Sequence, residues 1–538
     1  MRVLLVVDSR RDDLSTIVGS ALRRSFTCGA VVHASIALWQ EYLANGEPFV
    51  LVVADPSDQW SVFIQGTLAI KGAKVILLGR IPDRLQLLLN VTSEPLSPQQ
   101  RALFSSKDAE TNSFAESAAV VCYDKSNPLA AKAPMERRPC ERFDFMAEWN
   151  NLGYGSIKAD DSIWAISARV MLQDNNVIAQ VLAEEQSITV YMGLWQIEGA
   201  SLLWVNRAVG PVDSQEWFIL EEFVSCYQAD FAICLPVLSE IPHGYDACVT
   251  MRLDCDEDIN SAHQLYALYQ EKSVPLSLAI HGTVLEDDSH HEFLKQYVAN
   301  GDCLLSHSWS HPVNWGDSYE ETLKQVQMSL GAIEGAVGKE IDVKYAVSPF
   351  HQNPVISVQA LADSGLGGFI SGIICNDPEY LVARGGEVPF APSGFVTHSQ
   401  QCMLHGDCML EGDDPLSIFK QSFDIARQGQ ALFGFLDHPF SPRYAYGWQS
   451  EDQRCEAHGE FIDYIKASGN VLFLNEHQAL GWIAMKISIE LSANSVGEFS
   501  IKSSPSSPDE LSLAVRYKNK NYDFLTWLEN NSKGSNAV

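Results

Sequence analysis

The chain has 538 residues, 46% of them apolar and 20% charged, and carries a formal charge of −31 at pH 7. That apolar content excludes a disordered chain and fits a globular protein of more than one domain. The excess of 68 acidic over 37 basic residues excludes a broad phosphate-tracking surface, which needs clustered Lys and Arg to displace counterions. Neither nucleic acid nor an anionic membrane is expected as a partner.

At the N-terminus only Val3 to Val7 form an unbroken apolar run, too short for a signal-peptide core. Nowhere later do about 18 apolar residues follow one another, as a membrane span requires, so a cytoplasmic protein without a span is expected. The pattern then reads as strand (Arg2 to Val7), amphipathic helix (Leu14 to Phe26), strand near Val31, helix near Leu38, and strands at Phe49 to Ala54 and Ala73 to Leu78. Strands alternating with helices predict a parallel sheet covered on both faces, a doubly wound α/β module. Asp8 and Asp55 each follow the carboxyl end of a strand, where such folds place ligands. The placement of Asp55 faintly resembles the phosphorylated Asp of a response-regulator receiver, so residues 1–94 are read as a flavodoxin- or receiver-like domain. A receiver has adjacent acids after its first strand, whereas Ser9 and Arg10 follow Asp8 here; no phosphoacceptor is expected.

Residues 95–155, polar and rich in Ser and Ala, predict an irregular connector ending in the aromatic stretches Glu141 to Phe145 and Trp149 to Gly155. Residues 156–244 predict a mixed α/β segment, with strands at Ile163 to Ile166, Ser187 to Tyr191 and Ala200 to Val205 and a helix at Glu216 to Tyr227. Twelve scattered cysteines without a C-x-x-C pair suggest neither a zinc ribbon nor a disulfide framework. Thirteen of the fourteen histidines lie beyond residue 240, which makes the C-terminal half the place to seek acid–base or metal chemistry. There, over residues 245–485, strands are predicted at Ala247 to Leu253, Leu276 to Ile280, Cys303 to Ser306, Tyr345 to Val347, Gly367 to Ile370, Ala431 to Leu436 and Val471 to Leu474. With intervening helices such as Glu321 to Val337, they fit an incomplete (β/α) barrel. Residues 486–538, with short strands at Lys486 to Leu491, Glu498 to Lys502 and Leu511 to Tyr517, predict a small β appendage.

Four strand ends in this half run into chemistry-bearing residues. In Thr250–Asp258 the strand period of two puts Arg252, Asp254 and Asp256 on one side. In His307-Ser308-Trp309-Ser310-His311 the two histidines lie four apart, as on one face of a helical turn, and can share a metal if a third ligand joins them. Ser348-Pro349-Phe350-His351 and Leu436-Asp437-His438-Pro439 complete the set. A barrel site assembled from separate β/α loops has this look.

From Tyr245 to Trp482 these motifs, in this order, resemble the NodB-type polysaccharide deacetylases, carbohydrate esterase family four. The Asp254-Cys255-Asp256 spacing is similar to that of a D-x-D subgroup. The resemblance implies that Asp256, His307 and His311 hold one divalent cation, zinc or another first-row ion, with positions left for water and substrate. It implies that Asp254 is the general base, that the backbone N–H of Phe350 helps hold the oxyanion, and that His438 protonates the departing amine. The implied reaction is metal-dependent hydrolysis of an N-acetyl group on a saccharide. The family's motif-three Arg is replaced by Val347, and Arg252, on the same projected face as Asp254, is the candidate substitute. Asp377 is the candidate for the acid that orients the last His, with His351, His398 and His405 read as supporting residues. Trp309, Trp315 and Trp448 are candidates for a sugar-stacking cleft. Two other functions use the same barrel: a non-catalytic carbohydrate-binding or regulatory module, and a small-molecule amidohydrolase.

Overall fold

The computed structural model describes residues 2–104, 119–140, 163–212, 214–338, 341–371, 384–400, 402–410, 412–441, 444–493, 498–501 and 511–532. Its N-terminal half is built on one sheet of β1 (Val3–Val6), β2 (Val31–His33), β3 (Val50–Ala54), β4 (Lys74–Leu78), β5 (Ala119–Tyr123), β6 (Arg137–Pro139), β7 (Val177–Ala183), β8 (Gln186–Ile197) and β9 (Ala200–Val205). Their order is β2-β1-β3-β4-β9-β8-β7-β5-β6. The first five in that order run parallel and the rest antiparallel. Every residue of β1, β3 and β4 is buried, as expected of parallel strands covered on both faces.

This sheet corrects the expected division of the chain. Residues 1–94 and 156–244 are parts of one layer, because β9 pairs with β4 in register from Ser201 opposite Lys74 to Val205 opposite Leu78. The expected connector contributes β5 and β6 to the far edge, while its aromatic stretches lie outside the described residues. Ile163 to Ile166 is a turn, not a strand, and pairs only through one bridge from Ile166 to Arg207. Where the strand order reverses, between β1 and β3, the acids are matched by the chain's own arginines. Asp55, at a φ of 45°, faces Arg11 at 3.4 Å and Arg80 at 3.5 Å, and Asp8 is clasped by Arg10 at 2.7 Å.

The second half is an incomplete (β/α) barrel. Its strands are β10 (Ala247–Cys255), β11 (Ser277–Ile280), β12 (Leu304–Ser306), β13 (Tyr345–Val347), β14 (Gly368–Ser371), β15 (Val396–Ser399), β16 (Cys402–Met403), β17 (Phe433–Asp437) and β18 (Val471–Leu474). Parallel pairing runs from β10 through β15 in order, and β17 returns to β10. The stretch carrying β15 and β16 pairs first with β14 and then with β17, so it nearly closes the ring. That stretch was not among the predicted strands, because Thr397, His398 and Gln400 break its apolar run. Along β10 one edge pairs with β17, and the other is shared by β18 at Ala247 to Thr250 and β11 at Arg252 to Cys255.

Lys486 to Leu491, expected as a strand, begins with the end of a helix, Glu476–Ser488, started by a capping box between Asn475 and Gln478, and only Leu491 is in a strand. The boundary expected at residue 485 therefore cuts a helix. Beyond it lie the hairpins Leu491–Ala493 with Phe499–Ile501 and Ala514–Tyr517 with Lys520–Asp523, the latter pairing with Val237–Leu238 ahead of the barrel. The two halves are tied by buried polar contacts. Arg23 and Ser20 on the helix Asp12–Phe26 reach Glu387 at 2.5 and 2.8 Å. Glu221, on the helix Ser214–Ser225, accepts from Ser25, Arg384 and Arg516. Among the described residues no helix is long and apolar enough to cross a membrane.

Candidate active site

Strand β10 is buried along its whole length although it carries Arg252 and Asp254. Two unpaired charges there would be prohibitive, and the strand period resolves this by facing them toward each other. Arg252 donates from Nε to Asp254 Oδ1 at 2.6 Å and from Nη2 to Oδ2 at 3.1 Å. Burial alone would push the Asp254 carboxyl up, but the guanidinium, with His307 behind it, holds it well below the usual carboxylate range. Val347 supplies no such cation; its side chain is fully buried in the apolar core. Arg252→Gln removes a positive neighbour from a carboxylate, so the carboxyl pKa must rise. In an active preparation the acid limb of the kcat/KM profile is then expected to move to higher pH, and an unmoved limb would separate Arg252 from the base.

Asp256 lies just beyond the strand and turns its carboxylate to the loop after β12. The two histidines of that loop are not on a helical turn, as their spacing had suggested. Residues 307–311 form an irregular bend in which Ser308 and His311 take φ values of 62° and 47°. The bend brings the two rings to 4.7 Å between centroids. Left-handed backbone at non-glycine residues is strained, and here it recurs at Phe350, His351 and Tyr446 around the same cavity.

The ligand-type atoms of Asp256, His307 and His311 lie within 4.8 Å of one another. His307 Nε2 is 3.3 Å and His311 Nε2 3.9 Å from Asp256 Oδ1, a buried oxygen that makes no hydrogen bond among the described residues. His307 Nδ1 sits 2.9 Å from the Val347 carbonyl. A carbonyl only accepts, so that nitrogen carries the proton and Nε2 of the neutral ring presents a lone pair. Lone pairs and a carboxylate converging on one point fit a cation. The surrounding charge is negative: burial opposes a charged His307, yet Asp254 and Asp256 outweigh it and raise its pKa, so the site favours a positive charge, which a cation at Nε2 would supply in place of a second proton.

The opposite wall is made by the end of β17. His438 Nε2 points toward Asp256 Oδ2 at 3.6 Å, and its ring stacks on Tyr446 at 4.2 Å with 14° between planes. Asp437, its neighbour, is buried beneath and accepts from the His438 backbone N–H at 2.8 Å and from His458 Nε2 at 3.0 Å. His438 Nδ1 meets His405 Nε2 at 2.8 Å. Asp377, the expected orienting acid, lies outside the described residues. Sequence reasoning read His405 only as a supporting or loop residue, although Leu404-His405-Gly406-Asp407 follows a short apolar strand just as the other motifs do. His351 is half-buried at the cavity wall, with its pKa pushed down to about 3 by desolvation and Arg252.

These residues enclose a cavity of about 580 Å³, to which Phe350, Tyr444 and Tyr446 give the aromatic surface. The tryptophans expected to form a stacking cleft are elsewhere. Trp315 and Trp448 are each only 3% exposed, and Trp309 packs over Gly282.

Residues 251–368 match the family model described as polysaccharide deacetylase. No curated protein matches the chain. Among solved structures it is similar to the Xyl-CE4 domain of a multidomain xylanase from the hindgut metagenome of Trinervitermes trinervoides, at 16% identity and a TM-score of 0.30, covering 43% of this chain and 89% of that one. It is similar to a family 4 acetyl xylan esterase from Clostridium thermocellum in complex with a cobalt ion, at 14% identity and a TM-score of 0.29, with 43% and 89% covered. A CE4 family pseudoenzyme from Bacillus anthracis is similar at 15% identity and a TM-score of 0.30, with 44% and 66% covered.

Proposed function

We propose, from the match of residues 251–368 to the polysaccharide deacetylase family model, that the chain is a metal-dependent hydrolase removing acetyl groups from an N-acetylated saccharide. One observation carries this reading. Asp256, His307 and His311 converge in a single cavity with the Asp254–Arg252 pair on one flank and His438 on the other. Asp256, His307 and His311 would hold the divalent cation, zinc in the first instance, whose chemistry is Lewis acidity toward the acyl oxygen and a nearby water. Asp254 takes the attacking water's proton; the backbone at Phe350 faces the oxygen that becomes negative; His438 delivers a proton from Nε2 to the amide nitrogen as the C–N bond breaks. Acetate and a free amine result.

The described cavity walls carry Asp254, Asp256, Glu257 and Asp407 and neither Lys nor Arg. That lining favours a neutral N-acetylated sugar over one bearing phosphate beside the scissile bond. The test is acetate release from N-acetylglucosamine oligomers by protein of measured metal content. Turnover is expected to vanish on chelation and to return with zinc or cobalt. A chain that takes up one metal per molecule and binds oligomers, yet releases no acetate, would be the non-catalytic binding module instead.

A further inference from the structure

Three imidazoles and a carboxylate lie behind the cavity wall at the end of β17, and the reaction as derived uses only the first of them, His438. Its Nε2 faces the cavity, so to act as an acid it must carry a second proton on Nδ1, and that proton needs an acceptor held in place. Asp437 is close but is already engaged by the His438 backbone N–H, His458 Nε2 and, at 3.4 Å, Trp448 Nε1. The ring's own partner is His405, with Nε2 2.8 Å from His438 Nδ1. His405 is 7% exposed, and its Nε2 is within hydrogen-bond distance of His438 Nδ1 but 3.6 Å from Asp437 Oδ1, while Asp407 Oδ1 stands 3.9 Å from its Nδ1; when His438 carries both ring protons, its Nδ1 can only donate, and His405 Nε2 is the acceptor in reach. Burial, with His438 adding to it, pushes the pKa of His405 down to about 4, so it stays neutral under ordinary conditions.

We propose that His405 is a positioning residue that fixes His438 as the proton donor by accepting its Nδ1 hydrogen, an imidazole doing what a carboxylate does in a conventional His–acid pair. The inference rests on the deacetylase reading for its kinetic consequence but not for its geometry. When the C–N bond breaks, its electron pair stays on nitrogen, which takes the Nε2 proton. The Nδ1 proton remains between the two rings, and His438 passes from imidazolium to neutral imidazole. Tyr446, stacked on His438, keeps the ring plane from turning during this exchange.

The experiment compares two leaving groups in metal-loaded protein. An amine leaves only when protonated, whereas the nitrophenolate of para-nitrophenyl acetate departs without a proton. His405→Leu is expected to lower kcat on N-acetylglucosamine oligomers by about 100-fold while changing the ester rate less than about threefold, because only the amide demands the acid. His405→Gln, whose amide oxygen can accept the same hydrogen, is expected to recover most of the loss. Equal losses on both substrates with metal retained, or no loss on either, would overturn the assignment. If native protein turns over neither substrate, the deacetylase reading fails. The dyad is then judged by the ring-nitrogen NMR shifts of His438: Nδ1 protonated in the native chain and mixed tautomers in His405→Leu support it, and identical spectra overturn it.

Discussion

Asp254→Asn is expected to lower acetate release by about 10²- to 10⁴-fold, the range a positioned general base supplies, while metal content stays at the native level. The reason lies in the division of labour along β10. Both Asp254 oxygens are taken by Arg252, at 2.6 and 3.1 Å, whereas the trio that converges on the cation position is Asp256, His307 and His311. An amide oxygen in place of Asp254 Oδ1 can still accept from Arg252 Nε, but the amide nitrogen in place of Oδ2 faces the Nη2 donor and the guanidinium loses its counter-charge, so thermal unfolding of the variant is measured alongside to separate loss of the proton acceptor from loss of the fold. His307→Ala is expected to lose both metal and turnover, since it removes one of the three proposed ligands, whose ring is anchored from behind by the Val347 carbonyl. Metal lost together with turnover in Asp254→Asn would make Asp254 a ligand, and turnover surviving in it would remove the base from the mechanism. Inductively coupled plasma analysis alongside the acetate assay separates these results.

The four motif-bearing strand ends were legible because each is a short apolar run ending in residues an apolar strand has no reason to carry. Strand periodicity also paired Arg252 with Asp254, since residues two apart on a strand share a face whatever the fold around them. What stayed hidden depends on contacts between distant segments. The His307–His311 spacing invited a helical turn, but left-handed backbone at Ser308 and His311 makes the bend, and strain of that kind is imposed by packing rather than by local preference. His405 became visible only when the stretch with β15 and β16 was seen to cross from β14 to β17 and bring it against His438. The N-terminal sheet was misdivided for the same reason. β4 and β9 are separated by more than a hundred residues, and nothing in either strand announces that they pair. Trp315 and Trp448 were read as candidates for a sugar-stacking cleft but are buried, and Trp448 Nε1 turned to Asp437 satisfies that indole without exposing it.

The largest stability effect is expected at Glu221, far from the cavity. Its carboxylate is fully buried between the halves of the molecule, with Oε1 accepting from Ser25 Oγ at 2.7 Å and Arg384 Nε at 3.1 Å, and Oε2 from Arg384 Nη2 at 2.8 Å and Arg516 Nη2 at 2.6 Å. Burial pushes its pKa up, but Arg384 and then Arg516 overcome this and bring it from the ordinary 4.5 down to about 2. A group whose pKa is depressed by folding stabilises the native state above its unfolded pKa and stops doing so as pH falls through its folded one. Glu221 therefore contributes about 3 kcal/mol at neutral pH, and that contribution fades as pH falls from 4.5 towards about 2. Glu221→Ala removes the carboxylate that two buried guanidinium groups share, Arg516 keeping Glu222 at 3.2 Å, and breaking a buried ionic cluster from one side costs about 3–5 kcal/mol. Denaturant unfolding at pH 7 is expected to show that loss, and the difference between the native chain and the variant is expected to shrink steadily on acidification. A difference independent of pH would mean that packing around the helix Ser214–Ser225, rather than the charge of Glu221, holds the two halves together.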